Sequence, residues 1–186
     1  MSKERFLAFN DAIIAIIATI MVLSFKTPTS TGFSALGQLA VPFFAYAASF
    51  LQIMMVWYNH HQLFRDIQAI SIRAYLYNTL WLFVMSLFPF VTGWVGEKVW
   101  DRAAEYTFMV VLLVWMLFFS LMDYELTRTN PGIDKVLLSH SLSLAIRYGI
   151  PLVALLVIWF FPPAGLIANL LLVTLVYWLF FRQSVY

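Results

Sequence analysis

The chain contains no cysteine among its 186 residues. A disulfide framework and a thiolate metal site are therefore excluded. Charge is also scarce: Asp, Glu, Lys and Arg together make up 11% of the sequence. A soluble domain of this size carries about 25% charged residues and cannot cover its surface with so few. No Lys/Arg-rich stripe of the kind nucleic acid requires is present, and the net charge is only +2. No nucleophile elbow marks a hydrolase, and no TVGYG-like segment marks a carbonyl ion filter. Low-complexity tracts and an internal duplication are absent as well.

Apolar residues are abundant. They form 63% of the chain, and the mean hydropathy is +0.87. Lipid is the natural solvent for such a chain, and only helices and closed barrels satisfy the backbone there. The apolar runs are continuous and near twenty residues long, not alternating segments of about ten, so helices are expected. Six spans are predicted, at about 6–25, 39–58, 75–95, 106–122, 142–161 and 164–181. Pro162-Pro163 leaves so short a link that the fifth and sixth helices must be antiparallel neighbours. The fold class expected is an all-α, polytopic integral membrane protein, with residues 1–186 as one domain. The longest predicted loop, 123–141, is too short for a soluble catalytic module, so no enzyme activity is expected. The basic N-terminus followed by apolar residues resembles a signal peptide. Asp11 interrupts it and no small-residue cleavage site follows, so it reads as a retained helix.

Lys and Arg distribution sets the expected orientation. Lys3, Arg5, Arg65, Arg73, Arg128, Lys135 and Arg182 fall on one side, against Lys26, Lys98 and Arg102 on the other. Arg147, near the start of the fifth span, belongs to neither group. Seven against three places both termini in the cytoplasm. Trp57, Trp81, Trp94, Trp100 and Tyr75 read as an interfacial aromatic belt.

Ionisable groups inside a membrane are costly, so each is a functional candidate. Asp11 lies near the start of the first span, His60 and His61 at the end of the second, and Asn78 near the start of the third. Alternating helix direction brings them to one depth, with Arg5 close by. Two readings stand side by side: a structural clasp joining three helices, and a proton relay or gate. A metal site is not expected, because His60 and His61 point ~100° apart on a helix.

The first helix carries two distinct faces. Ile16, Thr19, Ile20 and Leu23 follow i, i+3, i+4, i+7 and form one stripe. Asp11, Ala15, Ala18 and Val22 form another, small in its middle and suited to close helix packing. By pattern alone the aliphatic stripe reads as lipid contact or core as readily as a pore lining.

Arg5, Phe9-Asn10-Asp11 and the following AIIAIIATIMVL resemble the signature of the transmembrane protein 175 family, endosomal and lysosomal potassium channels and their bacterial relatives. The family pattern has Ser where this chain has Asn10. Further matches are Trp57, His60-His61 and Phe64, then Asn78, Ser86 and Pro89-Phe90. The likeness is specific over residues 5–90 and topological beyond. It implies a six-helix subunit with cytosolic termini, assembling as a homotetramer in the bacterial plasma membrane, with the first helix lining a central pore. It implies Ile16 as the hydrophobic constriction, with Ile20 and Leu23 as further apolar rings and Thr19 as the hydroxyl layer. Arg5, Phe9, Asn10, Asp11, Trp57, His60, His61 and Asn78 would form the network behind the pore helix. The expected activity is a potassium channel moderately selective over sodium, with permeant K+ and no cofactor. The alternative is a proton-coupled or proton-conducting transporter that uses the Asp/His network.

Overall fold

The structure is a computed structural model. It describes residues 2–29, 31–132 and 141–184, with the side chains of 141–144 and 179–184 outside that description. Lys135 and the side chain of Arg182, both counted for orientation, therefore lie outside the described residues. Helices are the regular secondary structure of the described residues.

Helix α1 is Lys3–Ile20, started by the Ser2 side chain accepting from the Arg5 amide, and a 3₁₀ turn, Met21–Ser24, extends it. A 3₁₀ segment, Phe33–Leu39, leads into α2, Ala40–Arg65. Then come α3, Ile72–Met85; α4, Phe88–Glu97; α5, Arg102–Thr129; α6, Ser141–Val157; and α7, Ala164–Ser184. Four helical runs are long and apolar enough to cross a membrane: Lys3–Ser24, Phe33–Arg65, Ile72–Glu97 and Arg102–Thr129. Two shorter apolar helices follow, Ala145–Val157 and Ala164–Trp178.

The predicted third span is two helices. Ser86 and Leu87 break it, and Pro89 occupies the first turn of α4, where its missing N–H costs nothing. The second helix runs on to Arg65, so His60 and His61 lie within its last turns. Trp81 departs from the expected aromatic belt. It is fully buried and stacks on Trp115 of α5, with ring centroids 6.0 Å apart. A tryptophan facing the close α3–α5 contact has no route to an interface.

Polar contacts define the two ends of the bundle. At one end, the Lys3 ammonium donates to the carbonyls of Arg65 (2.9 Å) and Ile67 (2.8 Å). Asn130, after α5, holds the same loop, accepting from the amides of Gln68 and Ala69 and donating to the Ala69 carbonyl. At the other end, Lys26 pairs with Glu97 at 2.7 Å. There the Leu166 amide donates to Glu105 Oε2 at 2.8 Å, so a side-chain carboxyl group from α5 caps the start of α7.

Gly165 makes that cap possible. A Cβ at this position would collide with Glu105 Oε2. Gly165→Ala should therefore expel the carboxyl group from the cap and strand a buried acceptor, costing about 1–3 kcal/mol. Thermal unfolding of the detergent-solubilised protein should show a lower midpoint. An unchanged midpoint would refute this account of the α5–α7 contact.

Candidate functional site

Helix α1 packs against α2, α3 and α4. Phe6, Asn10, Ile14, Ile17, Ala18 and Met21 are buried in that contact, at helical spacing. The opposite side is bare: Phe9, Ile16, Thr19, Ile20 and Leu23 are exposed, Ile16 at 60% and Leu23 at 78%. The face expected to pack through small residues is only partly inward. Ala18 is buried, while Ala15 and Val22 are exposed. The helix meets its neighbours through large side chains, so small ones were not the signal for its inner face.

Thr19 sits within the bare stripe. Its Oγ1 lies 2.9 Å from the carbonyls of both Ala15 and Ile16. The hydroxyl hydrogen is thus satisfied inside the helix, leaving oxygen lone pairs directed outward. Such an oxygen is a cation acceptor, and it lies one turn from Ile16.

Behind the stripe is a buried polar triplet. Asn78 Nδ2 of α3 donates to Asn10 Oδ1 of α1 at 3.0 Å, and His60 Nε2 of α2 lies 3.1 Å from Asn78 Oδ1. All three side chains are buried. The His60 ring is held between Phe64, at 4.6 Å, and Trp81, which it stacks at 5.1 Å with a 6° tilt. The triplet ties α1 to α2 and α3, and the Trp81–Trp115 stack extends the tie to α5.

Of the network expected from sequence, Asn10, His60 and Asn78 meet in the triplet, and Asp11 and Trp57 form a separate pair. Asn10, and not the charged Asp11, is the α1 member of the buried triplet. Asp11 is half-buried and accepts from Trp57 Nε1 at 2.9 Å. His61 is exposed beside Trp57, with centroids 6.4 Å apart. The Arg5 side chain makes no hydrogen bond or ion pair to a described residue, and Phe9 points away from the bundle at 64% exposure. The reason is rotation: Asn10 and Asp11 point ~100° apart, and only Asn10 shares the face of Phe6 and Ile14. That periodicity was readable. The Trp81–Trp115 stack had no comparable signal beyond two tryptophans inside apolar helices.

An all-α bundle with several membrane-length helices, whose first helix is anchored on one face and bare on the other, defines a multi-pass membrane protein. A family model described as endosomal/lysosomal potassium channel TMEM175 matches residues 5–89, which include both the stripe and the triplet. A potassium channel of Chryseobacterium sp. (strain P1-3) is 30% identical over 136 residues, 73% of this chain and 71% of that relative. A potassium channel of Streptomyces collinus is 31% identical over 135 residues, 68% of this chain and 66% of the relative. The bovine endosomal/lysosomal proton channel TMEM175 is 34% identical over 92 residues, covering 43% of this chain and 19% of its own length. The crystal structure of a lysosomal potassium-selective channel TMEM175 homolog from Chamaesiphon minutus shares the fold, with a TM-score of 0.70, 22% identity, and coverage of 92% of this chain and 94% of that one. The chain belongs to the TMEM175 family.

Proposed function

We propose that this protein is a cation channel that passes potassium in preference to sodium. In this reading α6 and α7 complete a six-helix subunit with both termini in the bacterial cytoplasm, and four subunits surround a path lined by α1. The observation that carries the reading is the bare Ile16–Thr19–Ile20–Leu23 stripe on a helix whose other face is fully packed. Family membership and the relatives' names support it.

Four Ile16 side chains would form a narrow dry collar, and gating would widen it until water enters. Four Thr19 oxygens would replace part of the water an ion loses, favouring the ion that dehydrates more easily. The triplet of Asn10, Asn78 and His60 would fix the rotation of α1 so that the stripe faces the axis.

A second reading, proton conduction, draws on the proton-channel relatives and on buried His60. A route from Asp11 to His60 has little support, because Asp11 is engaged by Trp57 and His60 by Asn78.

Purified protein in liposomes tests the proposal. It should dissipate a potassium gradient several-fold faster than a sodium gradient. Movement of protons alone would favour the second reading, and no flux of any of the three ions would overturn both.

A further inference from the structure

Arg147 lies well inside α6 and belongs to neither the stripe nor the triplet. It is half-buried and makes no hydrogen bond or ion pair with a described residue, although the charge of Asp123 is felt there. It lines a partly open cavity of about 50 Å³ between α2, α5, α6 and α7. Gln52 and Asn59 of α2, Met116 and Phe119 of α5, and Tyr177 of α7 share the lining. Gln52 is 7% exposed, and its Oε1 has no hydrogen-bond partner among the described residues. The cavity thus contains a cation with five donors to satisfy and a buried acceptor with no donor. Buried polar groups left in this state are costly, so the arrangement calls for an acceptor at one point and a donor at another.

The depth identifies the ligand class. Arg147 is six residues after Ser141, roughly 9 Å along the helix axis at 1.5 Å per residue. That end of α6 lies on the side of Lys3, Arg65 and Asn130, because the start of α7 is held at the other end by Glu105. A long basic side chain at this depth reaches the headgroup layer of the leaflet on the side of the termini. The cavity has room for a few waters or one phosphate group, at roughly 10–15 Å³ per water, and not for an acyl chain.

We infer that the cavity is a lipid-headgroup site. It takes an anionic glycerophospholipid whose phosphate accepts from Arg147 at the mouth of the cavity, with water inside the cavity donating to Gln52 Oε1. The acyl chains stay in the bilayer. This inference does not depend on the channel reading.

The test uses the full chain, purified and exchanged into mixed vesicles of phosphatidylcholine and phosphatidylglycerol. Retained lipid is counted by native mass spectrometry. Wild type should retain phosphatidylglycerol preferentially. Arg147→Gln should lower that preference about tenfold, the loss of one charge-assisted contact. Gln52→Leu should lower it less. Arg102→Gln, at the opposite end, should leave it unchanged. Arg147→Lys keeps the charge but loses the fork, and should fall between wild type and Arg147→Gln. Equal preference in wild type, Arg147→Lys and Gln52→Leu would overturn the proposal even if Arg147→Gln fails to assemble. Displacement of the lipid by inorganic phosphate in an Arg147-dependent manner would also overturn it, since the site would then take a free oxyanion.

Discussion

Ile16→Asn should raise ion flux and weaken the preference for potassium over sodium. Four asparagines at a dry constriction supply polar groups and admit water, so ions pass more fully hydrated. Each 1.4 kcal/mol removed from the barrier multiplies flux about tenfold, so even a modest wetting effect is large in a flux assay. The neighbouring substitution should behave differently. Ile17 is 3% exposed and faces the bundle. Ile17→Asn puts an amide into an apolar contact at a cost of about 1–3 kcal/mol, so it should lower stability without raising flux per assembled channel. Thr19→Val keeps the shape and removes the outward oxygen, so selectivity should fall with little change in conductance. Ion-flux and thermal-unfolding measurements on the three variants separate these effects. If Ile16→Asn and Ile17→Asn behave alike, the stripe does not line the path.

Asn78→Ala should be the most destabilising change in the polar anchor. Asn78 bonds both Asn10 and His60, so its loss strands two buried groups at about 1–3 kcal/mol each. Asp11→Ala should cost less, about 1 kcal/mol, because Trp57 is 38% exposed and water can replace the lost partner. The combined Asn10→Ala/Asn78→Ala variant should be less destabilised than the sum of the two single changes, since each already strands the other. Unfolding midpoints and the yield of assembled protein check this order. A larger loss from Asp11→Ala than from Asn78→Ala would place the anchor on the wrong residue of the Asn10-Asp11 pair.

That pair shows how far sequence reasoning reached. The alternation of helices brought the start of α1, the end of α2 and the start of α3 to one depth, and His60 and Asn78 do meet there. Charge drew attention to Asp11, whereas one-residue rotation decides which side chain enters the bundle. Asn10, at i+4 from Phe6 and i−4 from Ile14, had the periodicity of a buried position. Apolar length gave the early helices well, but the break at Ser86 and Leu87 was hidden because Pro89 is as compatible with a helix's first turn as with a kink. Tryptophan's preference for interfaces predicts an interfacial Trp81. The facing surface of α5 determined its burial, and that is tertiary information. The Glu105 cap on α7 was invisible for the same reason: its partners are 61 residues apart.

The channel reading rests most directly on what the wild-type chain does alone in a bilayer. Single-channel recording of the purified protein, with potassium on one side and sodium on the other, measures it. The account predicts stepwise unitary currents and a reversal potential displaced in the direction that potassium selectivity requires. Flux that saturates without unitary steps, or a reversal potential that follows only the proton gradient, would contradict it.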